Sequence, residues 1–169
     1  MRRGIAKIKG LGFVLWHARH MGYHVLVGLG WVWMLSKRWD ESLPSVWIIT
    51  SVIGSLLPDV DHLFYLFGHG RGDDYSGHIR ELLHERKWRA VIVFMENGHK
   101  HNFGLVTHNY IVMIVLMIVG AVASVIDWNV GVVLIGAMFL HYLFDILDDL
   151  VLLGRTNPNW KRWGRAKSN

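Results

Sequence analysis

The sequence predicts an all-α integral membrane bundle of about four transmembrane helices, with an amphipathic helix in the long loop between the second and the third. Hydrophobic residues make up 52% of the 169-residue chain, and its mean hydropathy of +0.28 is high for a soluble protein. An apolar run from residue 105 to 126, interrupted only by Thr107, His108, Asn109 and Ser124, is long enough to span a hydrocarbon core of about 30 Å. Nine Trp and five Tyr are typical of a protein with much surface at a lipid–water interface.

Four apolar segments define the predicted helices. The first begins at residue 13 or 22 and ends at 35, the second covers 43–57, the third 105–126 and the fourth 130–153. The first two are short for a span of ~20 residues, so we expect them to be tilted or to end in a water-filled cavity. Residues 1–154 are predicted to form one membrane domain, followed by a basic tail over 155–169.

The loop between the second and third helices is polar and covers residues 63–104. It begins with a turn-rich stretch at 67–74, and a helical pattern returns from 79 to 94. Ile79, Leu82, Leu83, Arg86 and Ala90 fall on one face of that pattern. Two interpretations stay open: the helix lies flat on the membrane, or it is solvated and packs on the bundle.

The charge distribution predicts the topology. Much of the net charge of +5 lies at the two ends, and the long loop also carries several Lys and Arg, whereas the 126–130 connection carries none. Basic residues beside apolar spans mark the cytoplasmic side, so both termini and the long loop are predicted to be cytoplasmic at the inner membrane. This placement of the charge also argues against a nucleic-acid partner. The absence of cysteine excludes disulfides, thiolate metal sites and cysteine nucleophiles.

Acids and histidines occur where a membrane protein should avoid them. Ionisable groups in a bilayer are costly, so they normally face the bundle interior and serve a site. The up-and-down topology brings those of all four helices to one membrane level. They are His24 in the first helix, Asp59, Asp61 and His62 after the second, His108 at the start of the third, and His141 and Asp145 in the fourth.

Helical spacing adds to this prediction. His141 and Asp145 are four residues apart and project from one face, which Asp148 and Asp149 continue. His17, His20 and His24 share a face in the same way. Aspartate and histidine together are ligands for a divalent transition metal, with zinc preferred, and one or more ions are expected.

Several of these residues have simpler interpretations when taken singly. Asp59 after Pro58 suits a turn or helix cap, and His24 alone suits a buried polar residue with satisfied hydrogen bonds. Asp149 is expected to pair with Arg155 or Lys161. The surface is the expected place for His69, His78 and His84.

The three motifs resemble those of the inner-membrane metal-dependent hydrolase family. Residues 57–62, Leu-Pro-Asp-Val-Asp-His, match its first motif in full, and His141 with Asp145 match its His-x-x-x-Asp motif. His24 corresponds to the family's N-terminal histidine. In the second motif Thr107-His108-Asn109 matches the end, but Phe103 replaces the leading histidine. The resemblance implies that His99 or His101 supplies that ligand from a longer loop. A weaker, pattern-level similarity to zinc-dependent phospholipase C also exists.

The function that these features favour is hydrolysis of a phosphoester or lipid-like substrate at the cytoplasmic membrane boundary. Bound metal would activate water, with Asp148 as general base. A metal or proton transporter and a metal-stabilised structural membrane protein are the alternatives. Sequence does not fix the oligomeric state. The full set of predicted metal ligands is His24, Asp59, Asp61, His62, His99, His101, His108, His141 and Asp145.

Overall fold

The computed structural model describes residues 11–98 and 104–161, and within these ranges all regular structure is helical. The all-α prediction is therefore confirmed. The α-helices are α1 (Leu11–Trp39), α2 (Ser45–Leu56), α3 (Val60–Phe64), α4 (Asp74–His84), α5 (Trp88–Gly98), α6 (Tyr110–Val125) and α7 (Asn129–Leu153). A 3₁₀ turn at Leu57–Asp59 and a π-helical turn at Tyr65–His69 flank α3, so α2 and α3 form one interrupted helical stretch.

Local sequence explains where the long helices begin and end. Pro44 precedes α2 in an extended conformation, and Pro58 lies in the 3₁₀ turn that interrupts the helical stretch. The side chain of Asn109 caps α6 by accepting a hydrogen bond from the Val112 N–H at 3.0 Å. Gly154 ends α7 in the left-handed conformation, with φ of 68°, that glycine adopts without strain.

Helix α7 occupies the centre of the bundle. It packs against α1, α2 and α6, and α1 also packs against α2. Val32, Trp47 and Val133 lie in the buried cluster at one end of the bundle. The buried cluster at the other end contains Tyr142 and Trp160. The central helix therefore places His141 and Asp145 where the other helices meet.

Among the described residues, two helical stretches are long and apolar enough to cross a membrane, Ser45–His69 and Asn129–Leu153. Helix α6 is also apolar but has only 16 residues, or about 24 Å at 1.5 Å per residue. Its outward face is formed by exposed Ile114, Met117, Ile118 and Val122. A contiguous exposed apolar surface of this kind is typical of contact with lipid or with another protein.

The long loop folds into a helical hairpin. The prediction of one continuous helix over 79–94 is wrong, because the chain turns between α4 and α5 at Arg86, whose φ is 55°. Ile79, Leu82 and Val91 are buried together with Tyr65, so the apolar face of the hairpin packs on the protein itself. This arrangement fits the second of the two interpretations, a helix packed on the bundle.

Close contact of α2 with both α1 and α7 depends on small residues. A methyl group at Gly28 would overlap Ser55 Oγ and lie 2.9 Å from Ser51 Oγ. A methyl group at Gly54 would lie 2.7 Å from the Leu134 carbonyl oxygen of α7. Small residues at such crossings let helix backbones approach closely.

Replacing Gly28 with leucine should therefore separate α1 from α2 and destabilise the protein by about 1–3 kcal/mol, the usual cost of overpacking. The measurement is thermal unfolding of the purified protein. Gly30→Leu is the matched control, because a methyl group there meets open space on the same helix. Equal melting temperatures for the two variants would contradict the close α1–α2 packing.

Candidate metal centre

Seven acids and histidines from four parts of the chain meet at one end of the bundle. We call them the histidine–aspartate cluster. Helix α1 contributes two histidines, the 3₁₀ turn and α3 an acid and a histidine, the loop before α6 one histidine, and α7 a histidine and an acid. Its members are His20, His24, Asp59, His62, His108, His141 and Asp145.

The carboxylate of Asp145 is the centre of this cluster. Its Oδ1 lies 3.4 Å from His20 Nε2 and 3.3 Å from His24 Nε2. Its Oδ2 lies 3.5 Å from His108 Nε2 and 3.2 Å from His141 Nε2. Each oxygen of one carboxylate therefore faces a different pair of imidazole nitrogens.

A second carboxylate, that of Asp59, extends the cluster towards α3. Its Oδ1 lies 3.7 Å from His141 Nε2 and 3.9 Å from His62 Nε2. The side chains of Asp59 and His62 are 25% and 37% exposed, whereas those of His24 and His141 are fully buried. Since His20 of α1 is 15% exposed, the cluster is most open on the α3 side.

Three groups within the cluster have ligand atoms that all lie within 4.8 Å of one another. The α1 group is His20, His24 and Asp145; the α7 group is His108, His141 and Asp145; and the α3 group is Asp59, His62 and His108. Each group has imidazole nitrogens and one carboxylate, a ligand set that suits zinc and other first-row transition metals. The groups share Asp145 and His108, so they form one connected centre.

Hydrogen bonds behind the cluster orient two of its histidines. His141 Nδ1 donates to the Ser55 carbonyl oxygen at 2.7 Å, and since a carbonyl only accepts, Nε2 is the nitrogen of this imidazole that can bind a metal ion. On the other side, His108 Nδ1 lies 3.4 Å from Asp61 Oδ2. That same oxygen accepts from the Thr107 N–H at 2.7 Å and the Thr107 hydroxyl at 2.8 Å. Backing of an imidazole by a carbonyl or carboxylate is the usual outer shell of a metal-bound histidine.

Several buried polar atoms of the cluster form no hydrogen bond of good geometry among the described residues, although three of them lie 3.2–3.5 Å from the Asp145 carboxylate. They are both ring nitrogens of His24, Nε2 of His108, Nε2 of His141 and Oδ2 of Asp59. Buried polar atoms are normally paired, because an unpaired one costs about 1–3 kcal/mol. The Nε2 atoms all point towards the carboxylates, so the donor set fits a cation placed among them.

The structure brings together six of the predicted ligands: His24, Asp59, His62, His108, His141 and Asp145. Asp61 belongs to none of the three groups and lies behind His108 as a hydrogen-bond acceptor. The predicted ligands His99 and His101 lie outside the described residues. Asp148, the predicted general base, is half-buried on α7 and is also in none of the groups.

One member of the cluster, His20, is not among the ligands that the sequence predicts. The sequence indicates only that His20 shares a helix face with His24. The structure brings both imidazoles to Asp145, with their ring centroids 4.5 Å apart. The four-residue spacing on α1 is the same signal that identifies His141 and Asp145 on α7.

Comparison of the chain with models of protein families, with curated proteins and with solved structures found no match.

Proposed function

We propose that this protein is an integral membrane hydrolase that uses divalent transition-metal ions, preferably zinc, to cleave a phosphoester or lipid-like substrate at the cytoplasmic membrane boundary. The observation that carries the proposal is the Asp145 carboxylate with two imidazoles at each oxygen. This arrangement suits two neighbouring ions, the first in the α1 group and the second in the α7 group. Bound ions of this kind lower the pKa of water and stabilise charge on the attacked centre.

The residues of the chain have separable tasks in this proposal. His20 and His24 of α1 and the two histidines of the α7 group supply imidazole nitrogen ligands. Ser55 and Asp61 hold the imidazoles of His141 and His108 in the orientation that presents Nε2. The partly exposed Asp59 and His62 lie on the open side, where water and substrate would enter. Asp148 stays a candidate general base, one helical turn beyond Asp145.

The proposed membrane location rests on the apolar surfaces. Two stretches are long enough to cross a bilayer, and α6 exposes an apolar face beside them. We propose four spans, with the first and third formed by α1 and α6. The basic chain ends and long loop support cytoplasmic termini at the inner membrane. A metal centre at that end of the bundle lies at the level of lipid headgroups, so an amphiphilic phosphoester is the proposed substrate and a membrane lipid the proposed partner.

The motifs support membership of the inner-membrane metal-dependent hydrolase family as part of this proposal. The full match at residues 57–62 includes Asp59 and His62 of the cluster, and also Asp61 behind His108. The family's N-terminal histidine and its His-x-x-x-Asp motif correspond to His24, His141 and Asp145, which lie together.

The transporter alternative is less well supported. A path across the membrane needs polar groups throughout its depth. Residues 111–125 and 130–140 of the two apolar helices carry no ionisable side chain. The partial exposure of Asp59 and His62 likewise favours a catalytic centre over a closed structural one, because a catalytic metal keeps a position open to water.

The test of the proposed function is metal analysis of protein purified in detergent without chelators, followed by an assay with phospholipid vesicles and a generic phosphoester. We expect bound zinc or a similar ion, hydrolysis that a chelator stops, and recovery when zinc is restored. Asp61→Ala combined with His141→Ala should release the ion of the α7 group and abolish activity, while the ion of the α1 group stays bound. Metal-free wild-type protein would overturn the proposal, and metal without hydrolysis of any phosphoester would leave only a structural centre.

A further inference from the structure

The C-terminal segment 155–161, predicted to begin a basic tail, returns to the bundle. After Gly154 ends α7, a 3₁₀ turn at Pro158–Lys161 places Asn159 and Trp160 in the interior, each 3% exposed. A solvated tail has no reason to bury an asparagine and a tryptophan. The contacts of these two side chains show which parts of the protein the segment joins.

Asn159 bridges the two ends of the loop that carries His108. Its Nδ2 donates to the Leu105 carbonyl oxygen at 3.1 Å and to the His108 carbonyl oxygen at 2.9 Å. Both neighbours are acceptors, so the amide nitrogen, with its two hydrogens, must face them. The side chain thereby holds the backbone of the ligand residue His108, whose Nδ1 faces Asp61.

The segment is itself anchored to the helix that carries the other ligands. Asp149 Oδ2 on α7 accepts hydrogen bonds from Trp160 Nε1 at 2.9 Å and from the Asn157 N–H at 3.0 Å. The Trp160 ring lies 6.1 Å from the His108 ring and 6.1 Å from the Tyr142 ring, between centroids. The segment therefore links the backbone of His108 to α7 and helps to fix the distance between them.

We propose that Asn159 is a positioning residue for the metal centre: it holds the His108 backbone so that Nε2 faces Asp145. The proposal rests on the proposed function, because the consequence is expressed in metal binding. It assigns to the C-terminal segment a part in forming the α7 group, while the α1 group is formed without it. Asn159 touches neither metal nor substrate.

The experiment measures cobalt and zinc binding to the metal-stripped, detergent-solubilised full chain, with the visible spectrum of bound cobalt as a report on ligand geometry. Asn159→Asp has the same size but sets a carboxylate oxygen against two carbonyl oxygens. We expect affinity at the α7 group to fall about 10–100-fold, the range for residues that orient metal ligands, with a changed cobalt spectrum. The ion of the α1 group should bind as in wild type, which also shows that the variant is folded.

Two further variants complete the test. Asn129→Asp makes the same change at the opposite end of α7 and should leave both ions unaffected. Trp160→Phe keeps an aromatic ring but removes the hydrogen bond to Asp149. It should lower metal affinity at the α7 group alone, and by less than Asn159→Asp does. This variant tests the proposal if Asn159→Asp does not fold.

The outcomes separate this inference from the proposed function. Wild-type protein that binds no metal overturns both. Wild-type protein that binds two ions, with unchanged affinity and spectrum in Asn159→Asp and Trp160→Phe, overturns the positioning role alone. An equal loss of affinity for both ions in Asn159→Asp also overturns the positioning role, since such a loss would show a general loss of structure.

Discussion

Replacing Asp145 with asparagine should release metal from the α1 and α7 groups together. The substitution keeps the size of the side chain but replaces one oxygen with an amide nitrogen that does not bind a cation, and it removes the negative charge between four imidazoles. We expect metal affinity to fall by more than about 100-fold, beyond the range for residues that merely orient ligands. Hydrolytic activity should fall by at least about 1,000-fold, since the lost charge stabilisation is worth several kcal/mol.

The measurements are metal content after dialysis against a weak chelator and turnover with a phosphoester. Asp127→Asn is the matched control, because Asp127 lies in the α6–α7 turn at the other end of the bundle. A variant that lost metal through misfolding would also lose its melting transition, so thermal unfolding is recorded alongside. Retention of both ions by Asp145→Asn would contradict the shared carboxylate at the centre of the proposed site.

The convergence of the cluster could be predicted from the sequence because it follows from topology. Asp59 and His62 end one apolar segment and His108 begins the next, so neighbouring antiparallel helices place them at one level. The positions of His141 and Asp145 follow from helical spacing. These predictions need only helix periodicity and chain direction.

Other features depend on tertiary contacts that no local pattern shows. Asp61 resembles Asp59 in sequence, yet the interrupted helix at 57–64 turns it towards Thr107 and His108 instead of into the three groups. No glycine or proline marks the break between α4 and α5, because the residue with left-handed backbone there is Arg86. Periodicity alone therefore predicts one helix where two exist.

The C-terminal segment shows the same limit. The predicted end of the fourth helix at residue 153 agrees with the structure, in which Gly154 follows the last residue of α7. The segment after Gly154 has a basic composition, which predicts that Asp149 pairs with Arg155 or Lys161. The structure shows that Asp149 accepts from Trp160 and Asn157. A basic composition predicts a solvent-exposed segment. It does not predict the buried turn that contacts His108.

The two proposed ions should also be separable by substitutions on different helices. His20→Ala removes a ligand of the α1 group alone, and His141→Ala removes a ligand of the α7 group alone. Each variant should retain the other ion, so metal content should halve in both. His84→Ala, a change at an exposed histidine at the end of α4, is the control and should keep both ions.

The two variants should differ in activity, because the cluster is more open on the α3 side than on the α1 side. His141 Nε2 lies 3.7 Å from Asp59, whose side chain is 25% exposed and borders the open α3 side. The ion nearest that opening is the one that water and substrate reach first. We therefore expect His141→Ala to lower turnover by about 1,000-fold, equivalent to about 4 kcal/mol, whereas His20→Ala should lower it less, by about 10–100-fold.

Metal content and initial rates on the same preparations decide between these outcomes. Loss of both ions from either single variant would show that the cluster binds metal as one indivisible unit and would contradict two positions joined by Asp145. A larger loss of activity in His20→Ala than in His141→Ala would place the reacting ion on α1, and the entry side of the centre would then have to be reassigned away from Asp59 and His62.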